Sequence, residues 1–162
     1  MTMLRRLSWT SLSLLAAATV SIAASEHARL PSFTVTASNG AAVSSAALSQ
    51  QPRWVLLLVS PDCKSCDRLL ASLKEWQSAQ LRERMVIVVR GSSAAAAAYV
   101  GTRLSADFSW YADDRDDGWR SLQVKSTPTL LGIEAGEVKW TVSGVLNDPK
   151  AVESVVRRWV EY

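Results

Sequence analysis

Six consecutive apolar residues at positions 54–59 are the feature that most constrains the fold of this chain. An uninterrupted apolar run of this length is typical of a strand that is buried on both faces of a sheet. Pro61 and Asp62 end the run, and from Lys64 onward apolar residues recur at helical spacing, which predicts a helix over residues 64–80. A doubly buried strand that leads directly into an amphipathic helix predicts an α/β fold.

The remaining patterns predict further strands and helices around this pair. Alternation, apolar runs and a turn at Ala135-Gly136 predict strands at positions 32–36, 85–89, 108–111, 129–133 and 138–142. Alanine content and the capping pair Asp148-Pro149 predict helices at positions 94–100 and from 149 onward. The predicted fold class is α/β, with a central mixed β-sheet flanked by helices and a short N-terminal strand extension.

Bulky and acidic residues give further expectations about burial. The apolar stripe predicted for the last helix consists of Val152, Val155, Val156, Trp159 and Val160. The other tryptophans that we predict to be core residues are Trp54, Trp76, Trp110, Trp119 and Trp140. The spacing of the acids around Arg115 does not fit a calcium loop, so we predict a solvated loop that contains Asp113, Asp114, Asp116 and Asp117.

The N-terminal residues have the pattern of an export signal. Arg5-Arg6 precedes an apolar stretch at positions 12–18, and small residues close the segment. We expect residues 1–24 to be a signal peptide and residues 25–162 to form one periplasmic domain. The small residues allow cleavage after Ala23, Ala24 or Ser25. Left uncleaved, the segment would be the one part of the chain in contact with the membrane, although its apolar stretch is too short to span a bilayer.

The charge balance argues against a nucleic-acid partner. The chain has 18 basic and 15 acidic residues, and removal of Arg5 and Arg6 with the signal peptide leaves 16 and 15. No cluster of Lys and Arg follows Arg6 in the sequence, whereas binding to a phosphate backbone requires one.

Cys63 and Cys66, the two cysteines of the chain, lie where the predicted strand meets the predicted helix. A spacing of two residues on a first helical turn brings both sulfurs within disulfide distance. Cys63 lies at the helix N-terminus, where unpaired N–H groups and the helix dipole stabilise a thiolate. Cys66 is in register with the apolar stripe of the helix and is expected to be covered. This asymmetry predicts that Cys63 attacks and Cys66 resolves in disulfide exchange.

Other roles for the pair stay open at this point. Tetrahedral zinc needs four ligands, and beyond the cysteines the chain offers His27, near the predicted mature N-terminus, so no zinc site is expected. Two thiolates can hold Cu(I), and a static disulfide would suit a binding module. We expect no cofactor and no metal, and we keep a binding module or Cu(I) chaperone with a non-catalytic pair as the second hypothesis.

Thr127-Pro128, directly before the strand predicted at 129–133, completes a family resemblance. Positions 55–70, which include the cysteines, and positions 124–142 resemble the thioredoxin superfamily. Phe33-Thr34-Val35, followed by Asn39-Gly40, resembles its TlpA-like branch of exported thiol–disulfide oxidoreductases. The resemblance implies a thioredoxin-like fold in which Pro128 is cis and packs beside Cys63, and in which the Thr127 backbone pairs with bound substrate.

The resemblance also implies an enzyme that acts on protein thiols and disulfides, with Cys63 and Cys66 as catalytic residues. Many TlpA-like proteins serve cytochrome c maturation, so the resemblance implies a role there or in redox homeostasis of the cell envelope. A membrane or periplasmic redox partner would reset the cysteine pair after each cycle.

Several residues depart from the family pattern. Asp62 stands where the family usually has an aromatic residue, and the dipeptide Lys64-Ser65 contains no proline. Leu57 occupies the position of the buried acid of thioredoxin, while Glu75 and Glu83 are predicted at the surface. The negative charge of Asp62 is expected to raise the pKa of Cys63.

Overall fold

The computed structural model describes residues 28–76, 78–104, 107–144 and 148–161. The predicted signal peptide, residues 1–24, lies outside the described residues. The strands in the described ranges are β1 (Thr34–Ala37), β2 (Ala42–Ser44), β3 (Arg53–Val59), β4 (Met85–Arg90), β5 (Ser109–Asp113), β6 (Thr129–Glu134) and β7 (Glu137–Ser143). They form one mixed sheet in the order β2-β1-β5-β4-β3-β6-β7.

More of the described helices pack on one face of the sheet than on the other. The helices in these ranges are α1 (Lys64–Leu73), α2 (Ala79–Glu83), α3 (Ser93–Arg103), α4 (Asp117–Ser121) and α5 (Pro149–Glu161), with a short 3-10 turn at Ser45–Ala47. Buried side chains of α1, α2, α3 and α5 share one core with one face of the sheet. Trp119 of α4 packs in the core on the other face, together with Phe33 and Leu48. None of the described helices is long and apolar enough to cross a membrane.

Strand β3 lies in the interior of the sheet, as its apolar run predicts. It pairs in parallel with β4 and antiparallel with β6, so both of its edges are occupied. Because side chains alternate along a strand, Val55 and Leu57 point into the core under α1, whereas Leu56 and Leu58 point into the opposite core. The prediction of a strand buried on both faces is confirmed.

The prediction of one helix over residues 64–80 is wrong, because the segment is divided into α1 and α2. Helix α1 ends at Leu73, and the N–H of Trp76 donates a hydrogen bond of 3.2 Å to the Leu73 carbonyl as the chain turns. The Ser78 hydroxyl then caps α2 by accepting a hydrogen bond from the N–H of Leu81. Trp76 and Leu81 both face the same core, so the apolar periodicity continues across the break.

Some burial predictions also need correction. Val155, placed in the apolar stripe of the last helix, is 48% exposed, whereas Val152 and Val156 on the same helix are buried. Trp110, Trp140 and Trp159 are half-buried rather than enclosed, and the rings of Trp140 and Trp159 pack edge-on against each other. The strand β2 and the helix α4 were not predicted, since each is only a few residues long.

Candidate active site

The junction between β3 and α1 fixes the backbone of Cys63. The strand ends at Val59, and the N–H of Cys63 donates a hydrogen bond of 3.1 Å to the carbonyl of Ser60. Cys63 is the N-cap of α1, with an extended backbone, and its carbonyl accepts a hydrogen bond of 3.2 Å from the N–H of Asp67. A central strand and the first helical turn therefore hold the residue from both sides.

The two sulfurs form a disulfide across the first turn of α1, with Cα atoms 5.2 Å apart. The N–H of Cys66 points at the Sγ of Cys63 and donates to it over 3.0 Å. After reduction, an N–H aimed at this sulfur favours the thiolate over the thiol, and the positive end of the helix dipole acts in the same direction.

The two cysteines differ in exposure. Cys66 has no exposed surface and packs in the core with Leu69, Leu70 and Leu73. Cys63 is only half-buried and packs against the edge of that core. An external sulfur atom can therefore reach Cys63 more readily than Cys66.

Thr127 and Pro128 lie beside the exposed sulfur, although they are distant in sequence. The Sγ of Cys63 lies 3.3 Å from the carbonyl oxygen of Thr127. The Thr127–Pro128 bond is cis, as the resemblance implies, and Pro128 is buried. The hydroxyl of Thr129 donates a hydrogen bond of 2.6 Å to the carbonyl of Ser126, which links the loop before Thr127 to the start of β6. The structure thus brings all four predicted site residues together.

The charged residues next to Cys63 lie at the surface, whereas the buried position at Leu57 is uncharged. Asp62 and Lys64 flank Cys63 and are both exposed. Leu57, at the position of the buried acid of thioredoxin, is fully buried among apolar side chains. Glu75 and Glu83 are exposed, as predicted.

A groove of about 570 Å³ is lined by Asp62, which directly precedes Cys63 in the chain. Arg90 also lines it, and its guanidinium binds the carboxylate of Asp116 through two hydrogen bonds of 2.8 and 2.7 Å. This pairing raises the pKa of Arg90 and lowers that of Asp116. The groove is therefore lined both by the chain neighbour of Cys63 and by an ion pair.

The prediction of a solvated loop is wrong for Asp113 and Asp117, because Asp113 ends β5 and Asp117 begins α4. The side chain of Asp113 has no exposed surface, and its two carboxylate oxygens accept hydrogen bonds of 2.8 and 3.0 Å from the N–H groups of Asp117 and Trp119. Burial raises the pKa of Asp113, and the backbone hydrogen bonds oppose this shift. Asp113 caps the first turn of α4, while Asp114 is exposed as predicted.

Sequence analysis missed two ion pairs near the site, Arg90–Asp116 and Arg103–Asp67. The partners are separated by 26 and 36 residues. No local sequence pattern predicts pairing at such separations. The one local signal for either ion pair is Asp67, an acid in the first turn of α1.

The fold is thioredoxin-like, and its Cys63–Cys66 pair is of the CxxC type typical of thiol–disulfide oxidoreductases. No family model and no curated protein matches the sequence. Solved structures do match, and they confirm the predicted thioredoxin-like fold.

Two of these structures are from Mycobacterium tuberculosis. DsbF, in its mixed oxidised and reduced forms, has a TM-score of 0.65 and 18% identity, over 78% of this chain and 94% of that chain. A secreted disulfide oxidoreductase homologous to Escherichia coli DsbE has a TM-score of 0.64 and 20% identity, over 78% and 95%. The exposed lipoprotein thioredoxin Etrx1 of Streptococcus pneumoniae has a TM-score of 0.58 and 14% identity, over 78% and 98%.

Proposed function

We propose that this protein is an exported thiol–disulfide oxidoreductase that exchanges electrons with protein thiols and disulfides through Cys63 and Cys66. The observation that carries the proposal is the asymmetry of the pair. Cys63 is accessible, caps a helix and lies 3.3 Å from the Thr127 carbonyl, whereas Cys66 is fully covered behind it. Disulfide exchange requires one sulfur that meets the substrate and a second that meets only the first.

In the reducing direction, the Cys63 thiolate attacks one sulfur of a substrate disulfide. The substrate S–S bond breaks, a mixed disulfide forms, and the second substrate sulfur leaves as a thiolate that takes a proton. Cys66 then loses its proton and attacks the Sγ of Cys63, which breaks the mixed disulfide and releases the other substrate thiol. Two electrons have passed from the cysteine pair to the substrate, and the reverse sequence oxidises a substrate dithiol.

The chain supplies the groups that this exchange needs. The N–H of Cys66 and the N-terminal end of α1 stabilise the attacking thiolate. The Thr127 backbone, next to the reacting sulfur, would pair with an extended substrate segment, and the buried Pro128 directly follows it in the chain. No cofactor is required, because the cysteines themselves carry the electrons.

Export is part of the proposal and is supported by the N-terminal pattern of residues 1–24. One similar structure is described as a secreted oxidoreductase and another as an exposed lipoprotein. In an oxidising compartment the pair would be reset by a membrane or periplasmic redox partner. Work in cytochrome c maturation or in general envelope redox homeostasis would both fit this chemistry.

A defined peptide with a single disulfide tests the proposal. We expect wild-type protein to reduce it over many cycles when a thiol reductant is supplied. Cys66→Ala should lose turnover on the order of a hundredfold and accumulate a stable one-to-one mixed disulfide, because no neighbouring thiol resolves it. The matched variant, Cys63→Ala, should neither turn over nor trap the peptide, since the covered Cys66 cannot reach it.

Mass spectrometry under non-reducing conditions measures the trapped species. Wild-type protein that stays inert toward the peptide, with its disulfide reducible only by strong reductant, would contradict the proposal and favour a binding module with a static disulfide. Equal trapping by both variants would contradict the assigned roles of the two sulfurs.

A further inference from the structure

The first turn of α1 contains an acid next to the cysteine pair in the chain. Asp67 follows Cys66 directly and is four residues after Cys63, to whose carbonyl its N–H is hydrogen-bonded. Residues four apart on a helix have side chains roughly 6 Å apart. A negative charge at an N-terminal turn stabilises a helix through its dipole. The same charge disfavours a thiolate on Cys63, so Asp67 has opposite effects on the helix and on the proposed chemistry.

Arg103, at the end of α3, engages this carboxylate. Its Nε lies 2.7 Å from the Oδ1 of Asp67, and both side chains are about one-third exposed, at 34% and 38%. The guanidinium is itself held in place, because its Nη1 donates to the carbonyl of Tyr99 over 3.3 Å and to the hydroxyl of Thr102 over 2.9 Å. It also lies 4.5 Å from the centre of the Tyr99 ring.

The contacts place the carboxylate on the α3 side of α1. Arg103 of α3 binds the carboxylate directly, and burial, followed by the neighbouring Asp67, raises the pKa of Tyr99 in the same helix. Lys74, the residue directly after α1, donates to the carbonyl of Thr102 over 3.2 Å, which adds a second polar link to α3.

We propose that Arg103 is a positioning residue for the redox pair. It neutralises the Asp67 carboxylate and holds it against α3, so that the Cys63 thiolate is not destabilised by an acid one turn away. The helix keeps a favourable acid in its first turn, and the cysteine pair keeps a more oxidising potential than the same site with an unpaired Asp67. The proposal rests on the proposed function only in that the pair must be reduced and reoxidised reversibly.

The ion pairs of other charged residues near Cys63 do not depend on Arg103. Asp62 and Lys64 flank Cys63 on the chain, and Arg68 follows Asp67 on an exposed position of α1. None of these three has an ion pair among the described residues that would change with Arg103.

The test is the substitution Arg103→Ala, followed by two measurements on the cysteine pair. Coulomb's law for unit charges on the order of 6 Å apart in a water-like medium predicts about a threefold fall in the ratio of thiolate to thiol at Cys63. Iodoacetamide alkylation against pH measures this ratio. Because the thiolate contributes to the stability of the reduced form, the glutathione equilibrium constant should shift by about threefold toward the disulfide, or about 14 mV at 29.6 mV per tenfold.

A purely structural role for Arg103 would not make its effect on the redox potential depend on pH. The difference in potential between wild type and Arg103→Ala should vanish at pH values below the pKa of Cys63, where both proteins carry the neutral thiol. Arg103→Lys should restore part of the effect, since it restores the charge. As a matched control, Arg157→Ala removes one positive charge and two ion pairs from α5 and should leave both measurements unchanged.

Combining Arg103→Ala with Asp67→Asn decides whether Arg103 acts by neutralising Asp67. The double variant carries neither charge, so its alkylation and its potential should return close to the wild-type values. A double variant that keeps the threefold fall relative to wild type would overturn the proposal, as would unchanged values in a folded Arg103→Ala protein. Both measurements use small thiols and no protein substrate, so a failure here is distinct from absence of turnover on a peptide disulfide.

Discussion

Cys63 receives opposing electrostatic influences from groups within a few residues of it. The N–H of Cys66, 3.0 Å from its sulfur, favours the thiolate. Asp62, directly before it and exposed, disfavours the thiolate by like-charge repulsion. Asp62 is therefore the charge next to Cys63 whose removal tests this balance.

Substitution of this one residue tests the balance. Asp62→Asn should lower the pKa of Cys63 and make the couple more oxidising, because a negative charge beside the thiolate is removed. The expected change is about threefold in the glutathione equilibrium constant for charges on the order of 6 Å apart. Alkylation against pH and a glutathione titration measure it. Asp114→Asn, exposed on the far side of the same groove, is the control and should have a smaller effect. A more reducing Asp62→Asn protein would show that the electrostatic explanation has the wrong sign.

At the scale of the element, α4 depends on a single buried carboxylate. Both oxygens of Asp113 accept hydrogen bonds from the first N–H groups of the helix. Gly118 allows this approach, since a Cβ there would lie 3.0 Å from the Asp113 Oδ2. A helix of five residues has few internal hydrogen bonds, so its cap contributes a large share of its stability.

Asp113→Asn should destabilise the protein by about 1 kcal/mol, because an amide has one acceptor oxygen where two are used. Chemical denaturation of the two proteins measures the difference. Asp114→Asn, which changes an exposed neighbour, should be nearly neutral. A variant Asp113→Asn as stable as wild type would contradict the capping role.

The raised pKa of Asp113 also sets the sign of a pH effect. The folded state binds a proton on Asp113 more readily than the unfolded chain does. At neutral pH, where Asp113 is ionised, the protein is therefore less stable than it would be with this group protonated. Wild-type stability relative to Asp113→Asn should therefore increase as the pH falls through the interval between the raised pKa and the ordinary value of 3.8. A relative stability that decreases over this interval would contradict the direction of the shift.

At the scale of the whole molecule, a tryptophan pair joins the hairpin β6–β7 to β3 and α5. Trp140 of β7 lies across Gly132 of β6 and meets the ring of Trp159 edge-on, with centroids 5.8 Å apart. The indole of Trp159 donates a hydrogen bond of 3.1 Å to the carbonyl of Trp54 in β3. Packing at Gly132 is thus shared by elements from distant parts of the chain.

Gly132→Ala should reduce the free energy of unfolding by about 1–3 kcal/mol, because a Cβ at this position would overlap the Trp140 indole. Denaturant unfolding followed by tryptophan fluorescence measures the change. Gly101→Ala in α3 is the matched control, since a Cβ there meets no neighbouring atom. Its stability should rise by up to about 1 kcal/mol through helix propensity. Equal stability of the two variants would show that the indole moves aside.

Local sequence patterns determined a large part of the molecule. The apolar run of β3, the hairpin around Ala135-Gly136 and the helix that begins after Cys63 were all predictable, because each depends on periodicity or turn chemistry within a short segment. The Cys63–Cys66 spacing and Thr127-Pro128 likewise indicate the candidate site from the sequence alone.

The tertiary structure decided what depends on residues that are distant in sequence. Asp113 is buried rather than solvated because α4 folds back over it, and residues 64–80 form two helices because Trp76 turns into the core. Arg103 reaches Asp67 only because α3 packs beside α1. A single sequence records the preferences of each segment, whereas burial and ion pairing depend on which segments meet in three dimensions.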